Sequence, residues 1–173
     1  YAGGDIEGAL ATYQAMIDYD EENGNAYYLH GCLSLKQQDT DTAKKDFANA
    51  VKYNPDDYEL YVGIYENLAG NNMTEEGEEY LNKAFDIKGN SAENLTWRGR
   101  IYYLLGQYDN AVKELEGAVK KDSAKANLYL AQVYEAEEDS ANAEKYYQAY
   151  VDSGTADSVA MNALAEIQME KGN

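Results

Sequence analysis

The chain has 173 residues, with 14 Lys and Arg against 32 Asp and Glu, for a formal net charge of −18. A surface that negative repels phosphate backbones and anionic headgroups, so nucleic acid and polybasic membrane binding are not expected. A single Cys, Cys32, rules out an internal disulfide, and a single His, His30, leaves little for His-based catalysis or metal binding.

Apolar residues recur at helical spacing, which predicts helices over 5–20, 24–37, 40–53, 57–70, 74–87, 91–105, 108–120, 124–137, 140–152 and 156–171, and no strands. One proline suits such a chain. The opening Tyr1-Ala2-Gly3-Gly4 reads as an internal cut with no leader of its own. Turn stretches follow at Gln37-Gln38-Asp39-Thr40 and Gly106-Gln107-Tyr108-Asp109, with Asp39, Thr40, Thr74 and Ser140 as expected N-caps of the helices after the turns. Asn54-Pro55-Asp56-Asp57 stops a helix between them. No run of about 18 apolar residues is present, so no membrane span is expected.

One pattern repeats. Ala43, Phe47 and Ala50 return 34 residues later as Gly77, Leu81 and Ala84, and after another 34 as Ala111, Leu115 and Ala118. A step of 32 gives Ala143, Tyr147 and Tyr150, and the set 34 residues upstream is Ala9, Tyr13 and Met16. Offsets of four and three place each set on one helical face. The preceding helix carries its own small site at Gly31, Gly99 and Ala131, with Tyr65 as the exception. Facing small residues let antiparallel helices approach closely.

These residues resemble the tetratricopeptide repeat family. The resemblance is strongest from Tyr27-Tyr28-Leu29-His30-Gly31 through Ala43, Phe47, Ala50 and Pro55, and from Arg98-Gly99 and Tyr102-Tyr103 through Leu105-Gly106-Gln107-Tyr108, Ala111, Leu115 and Ala118. His30, Ser34, Tyr65, Gly77 and Tyr150 depart from the family pattern, which makes the repeat at 58–91 the least regular. The resemblance implies an all-α, right-handed superhelix of helix hairpins, with first helices lining a concave groove. It divides the chain as one array: a half repeat at 1–23, full repeats at 24–57, 58–91, 92–123 and 124–157, and a half repeat at 158–173.

No catalytic constellation is expected, because any His-dependent site must use His30, which points away from Cys32 two residues on. Nor is a metal or cofactor: Glu75, Glu76, Glu78 and Glu79 open a helix, where the dipole favours negative charge, and lack a folded cation loop. The sequons at Asn72 and Asn94 read as chance in an Asn-rich chain. The tyrosines, including Tyr13, Tyr61, Tyr102, Tyr134 and Tyr147, read as filler between helices with hydroxyls outward.

What the resemblance implies for function is a non-catalytic scaffold that holds a protein or an extended peptide in the groove. Its groove-facing positions fall here on Asn25, Tyr28, Leu29, Cys32, Lys36, Glu59, Val62 and Glu66, then Trp97, Arg100, Tyr103, Tyr129, Gln132, Glu135, Asn162 and Glu166. Trp97 and Arg100 are the expected anchors. Tyr28 and Cys32 occupy the sites of the family's chaperone-carboxylate clamp, so that activity is not expected, and a mixed or basic peptide suits the several groove acids. Two alternatives stand beside this reading. The array is a docking part of a larger enzyme or carbohydrate-handling complex, or it assembles head to tail through the faces Ile6, Leu10, Tyr13, Ile17 and Met161, Leu164, Ile167. The composition reads as bacterial; the sequence leaves the compartment open between cytoplasmic and, after loss of an upstream leader, extracytoplasmic.

Overall fold

A computed structural model describes residues 5–170 and 172. The two ends of the sequence, Tyr1-Ala2-Gly3-Gly4 and residues 171 and 173, lie outside the described residues, so the expected cut at the start is not addressed by it. Among the described residues every regular element is an α-helix. They form two compact units, Tyr1–Ile87 and Lys88–Asn173.

The first unit holds α1 (Ile6–Tyr19), α2 (Gly24–Lys36), α3 (Thr40–Tyr53), α4 (Tyr58–Ala69) and α5 (Thr74–Ala84). Here α2 pairs with α3 and α4 with α5, while α1 packs on α2 and α2 packs on α4. The second unit holds α6 (Ala92–Leu104), α7 (Tyr108–Val119), α8 (Ala124–Ala136), α9 (Ser140–Asp152) and α10 (Ser158–Glu170). Its pairs are α6 with α7 and α8 with α9; α7 and α6 pack on α8, and α10 on α9.

The repeated small and bulky residues build the cores of these pairs. Ala43, Phe47, Ala50, Leu81, Ala84, Ala111, Leu115, Ala118 and Ala143 are fully buried. Gly99 shows why a small residue is needed: a Cβ there would lie 2.4 Å from Leu115 Cγ and 3.3 Å from the Ala111 carbonyl oxygen. The α1 copy is looser, with Met16 41% exposed.

Acidic, amide and hydroxyl side chains start the helices. Asp5, Asn23, Asp39, Asp57, Ser91, Ser123 and Asp139 each accept a backbone N–H three residues on, which satisfies an otherwise orphaned donor. Part of the chain's negative charge therefore lies at the positive ends of helix dipoles. Three expected caps are corrected: Thr40, Thr74 and Ser140 are first helical residues, preceded by Asp39, Met73 and Asp139. Met73 makes no side-chain cap bond, so α5 begins without one.

The turn inside each hairpin is built the same way. Gln38, Asn72, Gly106 and Glu138 adopt left-handed φ values of 64°, 61°, 69° and 60°. Only one of the four is the glycine that this conformation favours.

Two further expectations change. The helix expected over 74–87 ends at Ala84, and the next residues turn so that Ile87 is buried and its carbonyl accepts the Tyr58 hydroxyl at 3.3 Å. On the two terminal faces, expected to be partly uncovered, Ile17 and Leu164 are 7% exposed because α2 and α9 cover them, while Ile6 and Met161 are 37% and 48% exposed.

Candidate functional site

In each unit the first helices of the hairpins pack side by side, and the expected groove residues lie on them. In the first unit the α2–α4 seam is closed by Tyr28. Its hydroxyl lies over Gly63, where a Cβ would sit 2.5 Å away, so glycine is what admits the ring. Asn67 Nδ2 donates to that hydroxyl at 3.3 Å and to the Gly63 carbonyl at 2.8 Å. The Tyr28 hydroxyl also bonds the Cys32 thiol, and burial pushes the Tyr28 pKa up. Burial likewise pushes the Cys32 thiol up to about 11, against the opposing pull of the Tyr28 hydrogen bond and the Lys36 charge.

Around this seam Leu29, Lys36, Glu59 and Glu66 are exposed, and Val62 is buried at 2%. Asn25 is also exposed and accepts a hydrogen bond from Asn54 Nδ2 at 3.1 Å. Val62 therefore packs the seam and offers no surface.

In the second unit the α6–α8 seam gathers Trp97, Arg100 and Tyr129. The Arg100 guanidinium sits 5.4 Å from the Trp97 ring centroid and 5.3 Å from that of Tyr129. Its Nη1 donates to the Tyr129 hydroxyl at 3.1 Å. Tyr129 is itself 5% exposed and belongs to the core, so it acts as the support for Arg100. Lys125, from the first turn of α8, places its ammonium 5.3 Å from the same Trp97 ring. Sequence reasoning missed Lys125; its place one helix along from Trp97 was the available signal. Tyr103 packs against Tyr108 at 6.1 Å between ring centroids, and burial raises its pKa. Gln132 is half-buried, and Asn162 and Glu166 are exposed on α10. Glu135 accepts the Tyr147 hydroxyl at 2.7 Å, tying α8 to α9.

The single His does something the sequence did not show. His30 Nδ1 and Asp46 Oδ2 lie 2.6 Å apart, with side chains 12% and 10% exposed, so the pair joins α2 to α3. Burial raises the Asp46 pKa, and the His30 hydrogen bond pulls it the other way. The tyrosine hydroxyls also find partners: Tyr61 donates to the Pro55 carbonyl and Tyr150 to that of Thr155, each at 3.3 Å. Of the two sequons, Asn94 is taken into the α6 capping box and Thr96 is buried against Ser123. No cluster of metal-ligating side chains and no helix long and apolar enough to cross a membrane occurs among the described residues.

Arg98 fixes the entry to α6. It bonds Glu114 at 2.9 Å, the Gly89 carbonyl at 2.7 Å and Asn90 Oδ1 at 3.2 Å. Lys121 donates to the Asn90 carbonyl from the end of α7.

Tetratricopeptide repeat models match residues 24–57 and 98–158, together more than half of the chain. No curated protein matches it in sequence. Among solved structures, PilW, a widely conserved type IV pilus biogenesis factor, is 20% identical with a TM-score of 0.64 over 99% of this chain and 80% of its own. YrrB, a tetratricopeptide protein with an unusual peptide-binding site, is 21% identical with a TM-score of 0.56 over 91% of this chain and 82% of its own. Human IFIT1, solved with m7Gppp-AAAA, is 19% identical with a TM-score of 0.67 over 97% of this chain and 42% of its own. At these identities the likeness is one of fold.

Proposed function

We propose that this chain, which belongs to the tetratricopeptide repeat family, is a non-catalytic scaffold that holds a protein or extended peptide against its first-helix faces. The observation that carries the reading is Trp97: the single Trp of the chain is half-buried on the α6–α8 seam, with two cations set against its ring. Trp, Tyr and Arg are the residue types that most often anchor interfaces. The peptide-binding site of YrrB supports the reading by analogy of fold. The net charge of −18 weighs against a nucleic-acid ligand such as the one held by IFIT1.

Affinity capture from the source lysate tests it. Trp97→Ala is expected to cut recovery of bound partners at least several-fold, whereas Lys113→Ala, at an exposed α7 position, leaves it unchanged. Unchanged recovery with Trp97→Ala sinks the reading.

A second reading, self-association through the terminal helices, is favoured by exposed apolar residues there. Ile6 is 37% and Met16 41% exposed on α1, and Val159 is 72% and Met161 48% exposed on α10. Light scattering over a hundredfold concentration range decides it: a constant monomer mass rules it out.

A further inference from the structure

Three of the four hairpins close on the same contact, a bulky residue of the second helix over a small residue of the first. Gly31 of α2 receives the Phe47 ring, with a Cβ there 2.9 Å from Phe47 Cε1, and Gly99 of α6 receives Leu115. Ala131 of α8 shares a core cluster with Tyr147. Ala165 holds the same place on α10, 34 residues after Ala131, and it is exposed. Met161, in register with the buried Tyr61 and Leu95, is exposed too.

The helix α1 is bare in the complementary way. Tyr13 stands in register with Phe47, Leu81 and Leu115, and Met16 with Ala50, Ala84 and Ala118, all of which are fully buried. On α1, Tyr13 is only half-buried and Met16 is exposed. Among the described residues α10 is thus a first helix with no second helix on it, and α1 a second helix with no first. Charge does not forbid their pairing. Glu7 and Asp18 on α1 and Glu166 and Glu170 on α10 stand without a Lys or Arg on either helix. Yet α4, with Glu59 and Glu66, pairs in this same chain with α5, where Glu75, Glu76, Glu78 and Glu79 outnumber Lys83. Like charge makes such a contact weaker at low salt, where screening is least.

We propose that α1 of one copy packs on α10 of another as second helix on first, with Tyr13 over Ala165, so that copies join head to tail in open rows. This deepens the self-association reading and rests on it. The packing fixes a register. Leu95 of α6 lies beside Gly117 of α7, where a Cβ would stand 3.5 Å from Leu95 Cδ1. The residues in register with that pair are Met161 and Ala15, so these two meet across the contact. A single helix pair falls at the low end of specific interfaces, about 1,000 Å², so the rows form at high protein concentration.

Both Ala15 and Met161 are exposed, so a cysteine at either position leaves the fold intact. Ala15→Cys and Met161→Cys proteins, mixed at high concentration and salt and then oxidised, are expected to give a disulfide-linked dimer. Its yield is expected to exceed that of either protein alone at least several-fold, and that of the unsubstituted chain, which supplies the Cys32 background. Raising salt is expected to increase the yield, and adding Ala165→Glu to the Met161→Cys protein to abolish it. Equal yields from the mixture and the single proteins, with a mass that rises with concentration, overturn this register and leave self-association standing. A constant monomer mass by light scattering under the same conditions overturns both.

Discussion

Across the α4–α5 pair, Tyr65 stands where the other first helices carry Gly31, Gly99 or Ala131, and it packs on Gly77, where the other second helices carry Ala43, Ala111 or Ala143. Elsewhere the first helix supplies the small residue, as Gly31 does against Phe47 and Gly99 against Leu115. In this hairpin the first helix carries Tyr65, and the second gives way: a Cβ on Gly77 would stand 3.0 Å from Tyr65 Cδ2 and 3.3 Å from its Cα and carbonyl oxygen. Two departures from the family pattern thus compensate each other, and Gly77 is buried where they meet.

The compensation is measurable. Gly77→Ala gains about 1 kcal/mol of helix propensity, but overpacking against Tyr65 costs about 1–3 kcal/mol, so a net loss is expected. Tyr65→Ala combined with Gly77→Ala is expected to be more stable than the sum of the single changes by about 1 kcal/mol, since residues in contact are not additive. Urea midpoints of the four proteins give that difference, and simple additivity would refute the compensation.

Asp46 sets a pH dependence of defined sign. Its folded pKa is raised by burial, so the folded state binds the proton more tightly than the unfolded chain does. The stability from this group is full below the ordinary carboxylate value and is lost as pH rises through the higher folded value. Asp46→Asn removes that slope. The difference between the urea midpoints of the two proteins, followed upward from about pH 3.5, is expected to move in favour of the variant. A flat difference would show that the His30 bond offsets burial completely. The subtraction is needed because the exposed carboxyls of Asp39 and Glu76 are held low by hydrogen bonds and slope the other way.

Cys32 is expected to be a poor nucleophile. With its thiol pushed up to about 11, little thiolate is present near neutral pH. Alkylation by iodoacetamide at pH 8 is therefore expected to run about a hundredfold slower in the folded protein than in urea, from the thiolate fractions alone. Equal rates would place the thiol in solvent.

Most helix limits were legible in the sequence to within a residue or two, because the small and bulky pattern recurs at a fixed step and the turns between carry Asp, Asn, Gly or Pro. The errors have local causes. Thr40, Thr74 and Ser140 are good cap types, yet the residue before each takes the cap position; for Thr40 and Ser140 it is an Asp that wins the backbone N–H. The tail of α5 misled because Ile87 keeps the apolar spacing while packing from a turn. At the candidate site, register placed Trp97 and Arg100 on one helix face. It could not show that Tyr129 is buried beneath Arg100, that Lys125 reaches Trp97 from the next helix, or that His30 meets Asp46. Those depend on how neighbouring helices sit in three dimensions, which a single period does not encode.

The four left-handed turn residues bear on how such a chain can be tuned. Gln38, Asn72 and Glu138 each hold a conformation that costs a side-chain-bearing residue roughly 1 kcal/mol, a cost Gly106 escapes. Each hairpin therefore carries its own adjustable hinge of strength, set by one residue that takes no part in the Trp97 or Tyr28 seams. Drift at these turns can harden or soften one repeat at a time while the surfaces that meet a partner stay as they are, which separates the evolution of durability from the evolution of recognition.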